Sequence, residues 1–228
     1  MSRTRTLPGV LLAAVCAVSL SACTVHPGQA AVVGSDKISD HQVDDVARSL
    51  CSAQSTAAQA GQPQELSSRA ARQGALDVLI NASLSQQFGQ ARGVQPDQGQ
   101  VSAALDANAQ TISKLPASRR AAFRDTLQRY AEGQLMLIDI GKASLEKAGT
   151  KNPTEQQSIT EGMRLRAAWA KDHADVTVSP RYGRYAKGAV QGESGSLSAP
   201  VSASAVAGAT ANPGQTWVAS LPAAQKCS

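Results

Sequence analysis

Aromatic residues are scarce in this sequence of 228 residues, which contains only two Phe, two Trp and three Tyr. Alanine, glutamine and serine are abundant instead, so we expect a mainly α-helical protein whose core is built from Leu, Ile, Val, Met and Ala. The sequence also lacks a Gly-x-Ser-x-Gly elbow, a glycine-rich loop that would cradle phosphates and a His-Glu-x-x-His zinc motif. Nothing in these patterns favours catalysis, and we expect neither an enzyme nor a bound cofactor.

Histidine occurs only three times. His41 and Asp44 could join His173 and Asp175 in a metal site only if two helix ends that are distant in sequence came together. These four residues lack the tight ligand spacing of known metal sites, so we expect solvated side chains and no bound metal. The adjacent carboxylates of Asp44 and Asp45 point in different directions on a helix, and we interpret them as a solvated face.

Neither sign of charge is concentrated in one segment. The formal net charge is +5 at pH 7, and basic and acidic residues are interspersed along the chain. This distribution lacks the basic stripe of a nucleic-acid-binding protein. Beyond the first 20 residues, no segment is apolar enough to span a bilayer. We therefore expect no nucleic-acid partner and no transmembrane helix after the N-terminal segment.

The N-terminal segment has the pattern of a bacterial export signal. Arg3 and Arg5 precede a mostly apolar run at 7–20, which is too short for an ordinary membrane span. The following residues, Leu-Ser-Ala-Cys at 20–23, resemble a lipobox, the maturation site of bacterial lipoproteins. This pattern predicts cleavage after residue 22 and acylation of Cys23. The mature protein would then be anchored to the extracytoplasmic face of the cell membrane.

The other cysteines predict a disulfide. Cys16 would leave with the signal peptide and Cys23 would carry lipid, so Cys51 and Cys227 remain as an even pair in an oxidising compartment. We expect these two to bond, which would tie the first helix to the C-terminal end of the chain. The alternative is two unpaired thiols.

Periodic apolar residues predict about five helices between two short strands at 31–34 and 176–178. Helix one begins at a capping box formed by Ser39 and Gln42. The other helices are predicted at 64–90, near 101–115, at 118–147 and from a second capping box at Thr154 to about 174. Gly133, inside the fourth helix, marks either close packing against a neighbour or a weak point.

The domain organisation follows from these elements. We predict a lipoprotein signal peptide at 1–22, a tether at 23–30, a helical domain at 31–185 and a low-complexity tail at 186–228. Residues 186–215 are rich in Gly, Ser, Ala and Val and show little helical periodicity, so we expect them to be mostly flexible. We expect order again around Trp217 and Leu221 if a disulfide holds Cys227.

Two short motifs resemble a known family. Residues 31–34 with Ile38, Ser39 and Val43, and residues 176–178 with Pro-Arg-Tyr-Gly at 180–183, are similar to the N-terminal domain of SurA-type periplasmic chaperones and PrsA-like foldases. The resemblance implies a helical peptide-binding domain in which the first strand pairs with the last. Larger members also carry a parvulin domain with prolyl isomerase activity. This chain has no room for one between Gly149 and Thr154, so we expect no isomerase activity.

The anchor and the resemblance together predict a chaperone-like lipoprotein. The second to fifth predicted helices would form an apolar cradle for unfolded or extended segments of exported proteins, with Met136 and Met163 as adaptable contacts. The same Met and Leu stripes would also serve as ordinary core. An alternative of another class is a structural lipoprotein that holds one dedicated cell-envelope partner, with the tail as a spacer.

Overall fold

The computed structural model describes residues 26–59, 65–191, 199–210 and 213–227. The predicted signal peptide and Cys23 lie outside these residues. The described chain is mainly helical, with eight helices: α1 (Asp40–Gln59), α2 (Ser68–Ala91), α3 (Gln98–Ala107), α4 (Ala109–Lys114), α5 (Ala117–Lys147), α6 (Glu155–His173), α7 (Ala203–Ala209) and α8 (Gln215–Ala219). Its short strands are β1 (Gln29–Val33), β2 (Asp36–Ser39), β3 (Val176–Val178), β4 (Arg184–Ala186) and β5 (Ala189–Gln191). The expected helical class is confirmed, with more elements than predicted.

The first strand pairs with the returning strand, as the resemblance implied. β1 lies in the middle of a three-stranded antiparallel sheet of order β2-β1-β3, with Ala31 opposite Val178 and Val33 opposite Val176. β2 is an unpredicted strand. It follows a two-residue turn in which Gly34 has a φ of 57°, a conformation that glycine adopts without strain. The polar start of β2 gave no strand pattern in the sequence.

Both predicted capping boxes are present. The backbone N–H of Gln42 donates to Ser39 Oγ at 3.2 Å, and the backbone N–H of Ser39 donates to Gln42 Oε1 at 2.9 Å. Thr154 and Gln157 make the same reciprocal pair at the start of α6. These bonds satisfy backbone donors that have no partner within the first turn of a helix.

Two predicted helix boundaries are wrong. The second helix begins at Ser68 rather than at 64, because the Ser67 side chain accepts from the Ala70 backbone N–H and caps the helix there. The third predicted helix is two helices, α3 and α4, which meet at Asn108. The Asn108 side chain donates to the Ala104 carbonyl at 2.8 Å, a local bond that competes with helix continuation.

The helices pack through small residues. A Cβ atom on Gly133 of α5 would lie 2.8 Å from the Cβ of Ser85 on α2, so this glycine marks close packing rather than a weak point. The crossing of α5 with α6 is closer still. A Cβ atom on Gly141 would collide with the carbonyl oxygen of Ser158, and one on Gly162 with the carbonyl oxygen of Leu137. These backbones touch with no room for a side chain between them.

The large apolar side chains of these helices fill one interior. Leu76, Ile80, Leu84 and Phe88 of α2 are all buried. The first three pack in one cluster with α1 and the strands, whose buried members include Val33, Ile38, Val43 and Val46. A smaller cluster joins α4 to α5 through Ile112, Leu115 and Phe123. The apolar stripe predicted for the second helix is therefore core.

The segment after residue 185 contains regular structure. β4 and β5 form a hairpin whose turn residues, Lys187 and Gly188, have φ of 54° and 81°. Positive φ at both central positions is typical of a tight hairpin turn. The Asp77 carboxylate accepts from the Val190 backbone N–H at 2.9 Å and holds the hairpin on α2. The described part of 186–215 thus contains a hairpin strand and α7, regular elements that the sequence pattern did not predict.

Candidate functional site

The predicted disulfide is present. Cys51 of α1 is bonded to Cys227, 176 residues later in the chain. Around it, the C-terminal end pairs with the chain that enters α2. The Cys227 backbone N–H donates to the Leu66 carbonyl at 2.8 Å, and Ser68 Oγ donates to the Lys226 carbonyl at 3.2 Å. The disulfide and these bonds hold the C-terminal end of the described chain against the start of α2.

Within this C-terminal region, one aromatic side chain joins two short helices. The indole N–H of Trp217 in α8 donates to the Ser204 carbonyl of α7 at 2.8 Å. The indole ring lies on Gly208, where a Cβ atom would collide with it. Glycine at this position therefore allows α7 to lie flat against the aromatic face.

The two helices and the start of α2 line an apolar depression that we call the C-terminal pocket. Its volume is about 540 Å³, within the range of small-ligand and peptide-side-chain sites. Most of its lining is aliphatic or aromatic, and it is open to solvent. The lining residues are Ser67, Ser68, Arg69, Ala199, Pro200, Val201, Ala205, Gly208, Ala209, Trp217, Leu221, Ala224 and Gln225.

Arg69 is the one charged side chain in this lining. Its guanidinium donates to the Thr210 carbonyl at 3.2 Å, and partial burial lowers its pKa. Val201 is an apolar residue of the same lining, and 96% of its surface is exposed. A fully exposed valine beside a half-buried tryptophan offers apolar area that a bound chain would remove from water.

The residues predicted to contact peptide lie elsewhere. Met136 of α5 is buried, and its sulfur packs on Gly89 of α2, so it does not line an open surface. Met163 of α6 is 47% exposed. Among the described residues of α1–α6, the only other large hydrophobic side chain with comparable exposure is Tyr130, at 40%. The helical part thus presents isolated apolar side chains rather than a continuous cradle.

The histidines considered for a metal site have local partners. His41 Nδ1 lies 3.0 Å from a carboxylate oxygen of Asp45 in α1. His173 stacks on Trp169 with ring centroids 5.3 Å apart, at the C-terminal end of α6. Residues 26–59, 65–191, 199–210 and 213–227 contain no group of three or more His, Cys, Asp or Glu that could hold a metal ion.

A buried arginine joins the helices and was not singled out in the sequence. Arg166 of α6 is 8% exposed and donates to Ser85 Oγ at 2.9 Å and to Asn81 Oδ1 at 2.8 Å, both on α2. Burial lowers its pKa, and these bonds compensate for its lost hydration. Arg166 is one of several charged residues in α6, so its burial has no signal in the sequence. Arg166 holds α6 on α2 and lies away from the C-terminal pocket.

Comparison with known proteins gave no relatives: no family model, no curated protein and no solved structure matches this chain. Across the described part of the chain, no helix combines the length and the hydrophobicity that a bilayer span needs.

Proposed function

We propose that this protein is a lipid-anchored, chaperone-like lipoprotein that binds extended or unfolded segments of exported proteins. The supporting observation is the C-terminal pocket, an open apolar depression of about 540 Å³ whose walls include Trp217, Val201 and Leu221. An open depression accepts a few side chains of a longer chain that continues beyond it. An enclosed cavity would instead fit a whole small molecule.

The proposed location depends on the sequence. Cys23 would carry the lipid anchor, and two or three acyl chains give stable membrane attachment where a single chain does not. An anchored pocket has a raised effective concentration beside chains that emerge from the membrane. Replacement of Cys23 with Ala is expected to move the protein from the membrane to the soluble fraction. A lipid adduct on the N-terminal peptide in mass spectrometry is the direct check.

We also propose that the helical domain belongs with the SurA-type N-terminal domains. The antiparallel pairing of β1 with β3 is the closure that this resemblance implies. The peptide site is proposed in a different place from the original expectation, since α2 uses its apolar stripe as core and Met136 of α5 is buried. No isomerase activity is proposed.

The test compares two exposed valines of the C-terminal region. Val201 lines the pocket, whereas Val206, 52% exposed on α7, does not. We expect Val201→Asn to weaken binding of a fluorescent, extended apolar peptide about tenfold, because one valine's burial contributes about 1.5 kcal/mol. Val206→Asn should bind as the parent protein does. Fluorescence anisotropy with the soluble mature chain measures both.

Equal binding by the two variants would place the peptide outside the pocket, and no binding by the parent protein would overturn the proposal. Photocrosslinking in cells from position 201 then identifies the ligands. Many unfolded exported proteins are expected for a chaperone. A single dominant crosslink would instead indicate a structural lipoprotein with one envelope partner.

A further inference from the structure

A second depression lies next to the C-terminal pocket and has the opposite character. Its volume is about 460 Å³, and we call it the cationic pocket. Four of its lining side chains are basic and one is acidic. The lining residues are Asp44, Ala47, Arg48, Cys51, Ser52, Ser68, Ala71, Arg72, Arg119, Ala224, Lys226 and Cys227.

The carboxylate in this pocket is paired with one arginine, and a second arginine lies at the limit of an ion pair. Arg72 Nε lies 2.8 Å from one Asp44 oxygen, and Arg48 lies 4.0 Å from the other. Arg48 also lies 3.9 Å from Asp45, a distance at the limit of an ion pair. The side chains of Arg48 and Arg72 are about half exposed and line the depression, and each guanidinium has more donors than these ion pairs use.

The other two cations differ in their partners. Lys226 is engaged, since its ammonium donates to the Ala219 carbonyl at 2.6 Å and lies 3.3 Å from Glu65. Arg119, in the first turn of α5, is half-buried. Within the described part of the chain, no carboxylate oxygen lies within 4.0 Å of its guanidinium. A partly desolvated guanidinium without a carboxylate is a favourable partner for an external anion.

The two pockets adjoin, because Ser68 and Ala224 line both of them. We propose that the protein selects acidic apolar peptides: apolar side chains occupy the C-terminal pocket while a neighbouring Asp or Glu of the same segment occupies the cationic pocket. This inference rests on the proposed peptide-binding function and names the class of segment bound. An extended chain advances about 3.3 Å per residue, so a few residues suffice to connect adjacent pockets.

Charge complementarity decides among possible occupants. A basic segment would place a like charge beside Arg119, whose charge no described carboxylate compensates, and this is unfavourable at short range. A neutral apolar segment would leave the cationic pocket to water. An acidic side chain gains charge-assisted bonds to the guanidinium donors that line this pocket.

The experiment uses two peptides with the same apolar core, one flanked by Asp and one flanked by Lys. We expect the mature chain to bind the Asp-flanked peptide about fivefold more tightly, in line with exposed ion pairs, and the preference to shrink as salt is raised. Arg119→Gln should remove about half of that preference on a logarithmic scale. Arg124→Gln is the matched control, since it removes the same charge from an exposed position of α5 that does not line the pocket.

The outcomes separate the two proposals. Equal binding of both peptides by the parent protein would overturn the acidic preference and leave the apolar pocket intact. An equal effect of Arg119→Gln and Arg124→Gln would assign the preference to overall charge and overturn the role of the cationic pocket. Absence of binding to either peptide would overturn the proposed function and, with it, this inference. Far-UV circular dichroism of both variants verifies that α5 is unchanged.

Discussion

The helical body formed by α2, α5 and α6 and the C-terminal region at 199–227 use their apolar residues in different ways. The body buries Leu76, Ile80, Leu84 and Leu137 fully and crosses its helices at glycines. The C-terminal region has short helices of seven and five residues and depends on the disulfide and a few bonds to the start of α2. A short helix is not stable without such contacts.

This difference explains where an apolar ligand can bind. A helix pair whose backbones touch leaves no groove, because the apolar stripes are already in contact with each other. The C-terminal region has too few large side chains to close its own interior. Trp217 and Leu221 therefore remain at the wall of an open pocket. The proposed binding surface lies in the part of the chain with the weakest sequence pattern.

The largest expected effect comes from breaking the contact between α5 and α6. Gly162→Ala would drive a methyl group into the backbone of Leu137, which cannot move without separating the helices. We expect a loss of about 3 kcal/mol or more in the free energy of unfolding, at the upper end of overpacking effects. Urea denaturation followed by circular dichroism measures this loss.

The matched control is Gly74→Ala in α2. Gly74 is exposed, and a Cβ atom there meets nothing within 4 Å. The same substitution is therefore expected to stabilise the protein by about 0.5–1 kcal/mol, through helix propensity and the reduced entropy of the unfolded chain. Losses of similar size in both variants would contradict the assignment of Gly162 to a close helix crossing.

A smaller and more local effect is expected from removing the disulfide. Replacement of both Cys51 and Cys227 with Ser should lower the free energy of unfolding by about 2–4 kcal/mol, since this bond closes a loop of 176 residues. The loss should fall on the C-terminal region, while the helical body keeps its fold. Limited proteolysis with mass spectrometry should then show early cleavage after residue 199 and a protected α2–α6 fragment.

Reduction of the parent protein should reproduce that cleavage pattern and weaken peptide binding, because the walls of the C-terminal pocket would separate. Simultaneous loss of α2–α6 and the C-terminal region would show that the two regions form one cooperative unit. The C-terminal region would then not be less stable than the helical body.

Strong local patterns in the sequence predicted most helices of the helical body. Ser39 with Gln42 and Thr154 with Gln157 predicted two helix starts correctly, because capping depends on residues three positions apart. The disulfide was predicted from compartment and parity alone. The end of α3 at Ala107 was not predicted. The side-chain bond from Asn108 interrupts the helix there, but the periodic apolar residues continue across it.

Features that depend on contacts between distant residues could not be predicted in this way. The C-terminal pocket requires Gly208 to meet Trp217 and residue 201 to lie near the start of α2, and no local spacing encodes either contact. Arg119 and Arg72 are far apart in sequence and lie on different helices. Gly188 is typical of a hairpin turn, but the small residues around it suggested flexible chain.

The smallest expected effect concerns acid sensitivity within the helical body. Glu161 of α6 accepts two bonds from Arg164 at 2.7 Å and one from Ser144 of α5 at 2.9 Å. Chiefly through the bond from Arg164, these contacts lower the pKa of Glu161 from 4.5 to about 2. Because the folded pKa lies below the unfolded one, the stabilisation is present above about pH 4.5 and is lost as the pH falls toward 2. Glu161→Gln should flatten the stability profile in that window, whereas Glu146→Gln, at an exposed position of α5, should leave it unchanged. A carboxyl titration followed by NMR that places Glu161 near 4 would contradict this assignment.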